Sequence, residues 1–204
     1  MNTPNHLIAP RSFVSQEMRE ARQPHKGMVF WLTGLSGAGK STLAHGSEYQ
    51  LFNEGYAIVV LDGDVIRTGL CRDLGFSPED RAENCRRIAQ LAKIIMRNGT
   101  VCICAFISPS AKDRATTKEI IGETFFREIF VSCSPDECER RDVKGFYAKA
   151  RKGLIENYTG VSSEYEPPFQ PDYTICTESS SIDKTTNQLA DYIRSQCAKI
   201  SPLI

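Results

Sequence analysis

Met28-Val29-Phe30-Trp31-Leu32-Thr33, then Gly34-Leu35-Ser36-Gly37-Ala38-Gly39-Lys40-Ser41, then a helical pattern from about Lys40 to Asn53, is the stretch on which the fold turns. The middle eight residues fit G-x-x-x-x-G-K-[ST] in full, between the strand and the helix that the motif requires. Glycines let the backbone turn tightly around phosphate oxygens, while backbone N–H groups and the helix N-terminus point at the anion. Lys40 carries a point charge to terminal phosphates, and the Ser41 hydroxyl is suited to magnesium. Gly34, Leu35, Ser36, Gly37, Ala38, Gly39, Lys40, Ser41 and Thr42 are therefore the predicted ATP-binding set.

Outward from this loop the pattern repeats. Ala57–Leu61 is a second apolar run, ending in Asp62-Gly63-Asp64. Pro78–Asn98 reads as a long helix with Ala82, Cys85, Ala89, Ala92 and Met96 on one stripe and Gly99 after its end. Val101–Ile107 and Glu128–Cys133 are further apolar runs, Tyr173–Cys176 is a short fifth, and helices are predicted over Ala111–Ile121, from Pro135 to Arg141 and over Ile182–Ala198. Near-continuous apolar strands alternating with helices mean βαβ units around a parallel sheet. Residues 142–171 hold no strong period and several glycines and prolines, the composition of a working lid or a loop. Residues 1–26 read as an arm that packs late or stays partly mobile, ahead of a domain over 27–204.

The length of 204 residues suits one domain. Twenty-five basic residues balance twenty-five acidic ones, which argues against a general nucleic-acid or membrane-surface binder. The longest apolar run, Val101–Ile107, is far short of the ~20 residues of a membrane helix, and the N-terminus lacks a signal-peptide core. A soluble, cytoplasmic protein is expected. The eight cysteines include no Cys-x-x-Cys pair and do not cluster with histidine, so core thiols in a reducing compartment are expected rather than a zinc site.

No guanine-reading Asn-Lys-x-Asp is present, and the Val101–Ile107 run ends in Ser108 rather than in an acid. The acids stand instead at Asp62 and Asp64, close to the phosphate loop in sequence. Such a pair suits a small kinase that holds a metal, assigned to Ser41 and Asp62, and must also deprotonate an acceptor hydroxyl. Beyond it lie Arg67, Phe76, Arg81 and Asn84; Arg81 and Asn84 share a helix face. Two readings fit the arginines. They clamp an anionic acceptor, with Phe76 stacked on a flat ring, or they pair with Asp73, Glu79, Asp80 and Glu83 on a solvated face. Residues 140–152 hold six basic residues against one acid, which fits either a solvated basic face or a lid that neutralises phosphates.

Phe30–Thr42, Leu61-Asp62-Gly63-Asp64, Asp73-Leu74-Gly75-Phe76-Ser77, Asp80-Arg81 with Glu83-Asn84, Phe106-Ile107-Ser108-Pro109, Arg141-Asp142-Val143-Lys144-Gly145 and Tyr165-Glu166-Pro167-Pro168 together resemble the adenylyl-sulfate kinase (APS kinase) family, in order and from about residue 14 to the C-terminal helix. The resemblance implies a P-loop kinase-like three-layer α/β/α domain with a five-stranded parallel sheet and a C-terminal lid segment, using Mg2+ with ATP. It implies transfer of the γ-phosphoryl group of ATP to the 3′-hydroxyl of adenosine 5′-phosphosulfate (APS), a homodimer, and an ATP sulfurylase on a separate chain. Lys40, Asp64 and Ser108 would be catalytic, Ser108 matching a serine assigned in the family as a phosphoserine intermediate. Arg67, Arg81 and Asn84 would hold the acceptor, Phe76 and Tyr158 would stack on its adenine, and Ile107 and Lys144 would line the same pocket. The family usually has asparagine where this chain has Val65 and Cys71, and phenylalanine where it has Tyr158. Two rival readings are a P-loop kinase for another small hydroxyl acceptor and a nucleotide-binding regulatory module.

Overall fold

The computed structural model describes residues 12–198. In chain order the elements are α1 (Gln16–Glu20), β1 (Val29–Thr33), α2 (Lys40–Asn53), β2 (Ile58–Asp62), α3 (Gly63–Thr68), α4 (Pro78–Arg97), β3 (Val101–Ala105), α5 (Ala111–Ile121), β4 (Phe126–Ser132), α6 (Pro135–Arg141), α7 (Phe146–Arg151), β5 (Tyr173–Cys176) and α8 (Ile182–Cys197). The five strands form one parallel sheet in the order β2-β3-β1-β4-β5. This is the expected three-layer α/β/α architecture.

Strand alternation divides the core. Phe30 and Leu32 of β1 point to one face and pack with Leu43, Leu51, Leu189 and Ile193 of α2 and α8. Val29 and Trp31 point to the other and meet Cys85, Ile88 and Ala92 of α4 and Ile121 of α5. All five β1 residues are buried, as a central parallel strand covered on both faces demands. Cys102 and Cys104 share a buried face, their sulfurs 3.8 Å apart. All eight cysteines are free, six of them buried, and the described residues contain no cluster of metal-ligating side chains.

Several boundaries shift by one residue from the sequence reading, and three differences are larger. β3 stops at Ala105 rather than Ile107 because the chain turns at Ser108, whose φ of 39° no strand can hold. β4 begins earlier, at Phe126, where it pairs with Val29. Within 142–171, expected to lack regular structure, α7 forms after Gly145: the Asp142 carboxylate accepts from the N–H groups of Tyr147 and Ala148 at 3.0 and 3.1 Å, and Tyr147 and Ala150 are buried. Two apolar anchors in six residues are too few to give a period.

Of the expected arm, residues 1–11 lie outside the described residues. Residues 12–26 are docked. Arg19 donates to Asn98 Oδ1 at 2.6 Å, Glu20 Oε1 accepts from the Gly27 N–H at 3.0 Å, and the buried His25 ring stacks on Tyr56 with centroids 4.6 Å apart. Among the described residues no helix is long and apolar enough to cross a membrane.

Candidate active site

The phosphate loop joins β1, in the middle of the sheet, to α2. Helices α4, α5, α6 and α8 each begin with a serine whose side chain accepts a first-turn N–H, and Asp62 does the same for α3. α2 begins at Gly39 with no side-chain cap. Its first-turn donors are thus left for an anion. Gly39 sits at φ 97°, and Gly37 at φ 80° with Cys138 O only 2.8 Å from where a Cβ would lie, so both positions exclude other residues. Inside the loop Lys40 is buried, and its ammonium donates to the carbonyls of Gly34 and Leu35 at 2.8 and 2.7 Å.

Burial pulls Lys40 down to about 8. Because the folded value lies below the ordinary one, the cost to stability is present in full below pH 8 and fades as pH rises from there toward 10.5. At neutral pH it is on the order of 3 kcal/mol. Phosphate charge placed against the ammonium should raise the group again. Nucleotide binding near pH 8.5 should therefore take up a proton fraction, seen as a binding heat that varies with the ionisation enthalpy of the buffer. A heat independent of buffer would separate Lys40 from the phosphates.

A cavity of about 850 Å³ runs from this loop across the C-terminal edge of the sheet. Ser36, Gly37, Gly39, Lys40, Ser41 and Thr42 line one end, and Asp62, Asp64, Arg67, Phe76, Arg81, Asn84, Ile107, Ser108, Lys144 and Tyr158 line the remainder. All the predicted acceptor and metal residues thus meet in one space. Gly34, Leu35 and Ala38 stand behind it and act through their carbonyls.

Three buried oxygens of cavity residues have no hydrogen-bond partner among the described residues: Asp62 Oδ2, Asn84 Oδ1 and Tyr158 OH. The other Asp62 oxygen accepts from the Asp64 N–H at 2.9 Å. A buried carboxylate oxygen left open beside the hydroxyl-bearing Ser41 fits a hard divalent cation. Asp64 is exposed and ion-paired with Lys144.

The geometry bears on the two readings of the arginines. Glu83 pairs with Arg86 and Arg87, Asp73 with Arg87, and Asp80 accepts from the Gly75 N–H. Among the described residues neither Arg67 nor Arg81 has a carboxylate partner. Arg67 lies over the Phe76 ring at 4.3 Å and donates to Gly75 O at 2.9 Å. Arg81 lies 5.9 Å from the same ring and donates to Phe76 O, Thr159 Oγ1 and Asn157 O. Burial lowers both guanidinium pKa values. Two part-buried guanidinium groups at a cavity wall, with no carboxylate in ion-pair contact among the described residues, are less satisfied than arginines on a solvated face.

The basic run over 140–152 is less free than its composition suggested. Arg140 and Arg141 pair with Glu137, Arg151 with Glu139, and Lys144 with Asp64. Ser108 is buried, and its Oγ already accepts from Trp31 Nε1 at 3.0 Å. Tyr158 is half-buried and meets Tyr147 edge-on at 5.1 Å. Of the family departures, Val65 is exposed on α3 and Cys71 is buried, where desolvation raises its thiol.

Sequence reasoning missed three supports of the site. Tyr147 OH donates to Ser36 O at 3.0 Å; Thr177 Oγ1 donates to Ala38 O at 2.9 Å; Arg141 donates to Gly37 O and Thr177 O. Each brings a distant element to the phosphate loop by a backbone carbonyl. The aromatic Tyr147 inside a basic segment was the one signal available.

The profile of the family described as adenylylsulphate kinase matches residues 26–176. This chain belongs to that family. It is 43% identical over 196 residues to an adenylyl-sulfate kinase of Bacillus velezensis, covering 96% of this chain and all of that one. It is 49% identical over 180 residues to one of Pseudomonas aeruginosa, covering 88% and 92%. The APS kinase of Mycobacterium tuberculosis, solved with AMPPNP and APS, superposes with a TM-score of 0.79 at 42% identity over 82% of this chain and 98% of that one. A gluconokinase of Sinorhizobium meliloti at 13% identity and TM-score 0.53 shares the fold alone.

Proposed function

We propose that this kinase transfers the γ-phosphoryl group of ATP to the 3′-hydroxyl of APS, giving ADP and 3′-phosphoadenosine 5′-phosphosulfate. The observation that carries the acceptor assignment is the pair Arg67 and Arg81. They lack carboxylate partners, flank the Phe76 ring and share one cavity with the phosphate loop. That wall suits a ligand with an aromatic base and a strongly acidic, doubly charged ester.

In this reading the phosphate loop and the open end of α2 cradle the nucleotide phosphates, and Lys40 leaves the carbonyls of Gly34 and Leu35 to neutralise charge that grows during transfer. Asp64 orients the acceptor hydroxyl and takes its proton. Ser41 and Asp62 would hold Mg2+, which on binding neutralises phosphate charge. Arg67, Arg81 and Asn84 grip the acceptor, Phe76 and Tyr158 bracket its base, and Ile107, Ser108 and Lys144 complete the wall. Phosphoryl transfer is direct in this reading: Ser108 Oγ accepts from Trp31 Nε1, and its own O–H is left to position a phosphate oxygen. Residues 142–171 act as the lid over a domain spanning 27–204, with 1–26 as an arm. Two copies pair as a homodimer in the cytoplasm, and an ATP sulfurylase on a separate chain supplies the acceptor.

Coupled measurement of ADP release with and without APS tests this. Release that depends on APS supports the reading. Release that another hydroxyl acceptor stimulates better assigns a different kinase, and nucleotide binding without turnover assigns a regulatory module. Arg81→Ala should cost about 1.5–3 kcal/mol of acceptor binding and Asn84→Ala about 0.5–1.5 kcal/mol, each with little change in ATP affinity. Equal weakening of both ligands, measured by titration calorimetry, would point to a distorted α4 instead.

A further inference from the structure

Arg114 on α5 touches no atom of the proposed reaction, yet it is buried with only 4% exposure. Its guanidinium is committed on every side. Nε donates to Glu128 Oε1 at 2.7 Å, Nη1 to Ser108 O at 2.8 Å and Pro109 O at 3.1 Å, and Nη2 to Glu166 O at 2.7 Å. The neighbours close the same knot. The Glu166 N–H donates to Pro109 O at 3.0 Å, and the Glu166 carboxylate accepts from the Ala111 N–H at the start of α5. Thr33 Oγ1 donates to Ile107 O at 2.7 Å and lies 3.0 Å from Tyr165 OH.

Two segments are thereby fixed at one point. The first is Ile107-Ser108-Pro109, whose residues form a wall of the cavity. Ser108 holds φ 39° there, a left-handed conformation that a serine keeps only when its surroundings over-determine it. The second is the strap at 165–167, which follows the segment carrying Tyr158 and Thr159. A buried charge that serves packing alone would need one carboxylate; Glu128 supplies it. The three remaining bonds all go to carbonyls of these two segments.

We infer that Arg114, with Glu128 as its counter-ion, is a positioning residue for the acceptor half of the site, holding the Ser108 turn and the downstream end of the lid segment in register with each other. This rests on the APS reading of the cavity. Arg114 lies on the side of the sheet away from α2, so its loss should be felt far more by the acceptor than by ATP.

Trp31 makes a substrate-free test possible. It is the only tryptophan in the chain, and its indole N–H donates to Ser108 Oγ. Arg114→Met keeps the bulk without the fork, and Arg114→Lys keeps the charge that neutralises Glu128 but cannot reach three carbonyls. Three quantities should be read on both variants: Trp31 emission, KM for APS and KM for ATP. Expected are a shifted emission maximum, a rise in KM for APS of about tenfold or more in Arg114→Met and a smaller rise in Arg114→Lys, with KM for ATP within about threefold of wild type. Unchanged emission and unchanged KM for APS in a folded variant would overturn the inference, as would parallel changes in both KM values. Insolubility of both variants would also overturn it, making Arg114 a determinant of the fold. A wild-type protein without APS-dependent turnover would instead remove the acceptor reading, while the Trp31 emission would still report whether Arg114 holds the Ser108 turn.

Discussion

Lys40→Ala should lower phosphoryl transfer by at least about 10²–10³-fold, the loss that follows removal of one pre-placed donor from developing charge, while the protein remains folded. The expectation has two parts because in the free enzyme the lysine's hydrogen bonds are offset by the cost of burying its charge. Its ammonium is buried against two carbonyls of its own loop, and burial drags its pKa down to about 8. Alanine relieves that desolvation, so the midpoint of thermal unfolding should hold or rise even as turnover disappears. Lys40→Met, which keeps more of the volume, controls for a collapsed loop. A folded variant that works within tenfold of wild type would take the transferred phosphoryl group away from this loop. ADP release and thermal denaturation on the same preparation decide it.

Asp64→Asn should be nearly as damaging, by about 10²–10⁴-fold, the range for loss of a general base. Asparagine keeps the shape and can still orient a hydroxyl, so the fall isolates the proton-accepting step. In the free enzyme the carboxylate is engaged by Lys144. Both side chains are about half exposed or more, at 66% and 49%, and a pair in that setting is worth ~1 kcal/mol or less. An arriving acceptor can therefore displace the lysine. Lys144→Ala should cost much less than Asp64→Asn and should act mainly on the acceptor's KM. If Asp64→Asn retains a third of wild-type kcat, the hydroxyl proton leaves by another route.

The phosphate loop, the layered fold and the acidic pair were legible in sequence because each is a local pattern: eight consecutive residues, alternating apolar runs, two acids two positions apart. Arg67, Phe76, Arg81 and Asn84 were visible as residues but ambiguous in role. Charge pattern alone could not say that Glu83 and Asp73 would turn toward Arg86 and Arg87 and leave Arg67 and Arg81 without a carboxylate. The basic run at 140–152 was ambiguous for a similar reason, since two of the acids that pair with it, Glu137 and Glu139, lie just before the segment counted. Thr177 and Arg114 were hidden altogether, and Tyr147 showed only as an aromatic inside a basic segment. They work by reaching main-chain carbonyls of remote elements, as Thr177 reaches Ala38 139 positions away, and a carbonyl has no signature in sequence.

The missing cap on α2 bears on attempts to make this enzyme more robust. Routine stabilisation adds serine or aspartate ahead of uncapped helices and replaces glycines whose flexibility burdens the unfolded chain. Here the missing cap singles out Gly39, but its φ of 97° strains any residue other than glycine. A capping side chain at that position would answer the first-turn donors internally, in competition with an anion. A cap at that one helix end would thus cost backbone strain and nucleotide affinity together, whereas the ends of α4, α5, α6 and α8 already carry their serine caps without that conflict.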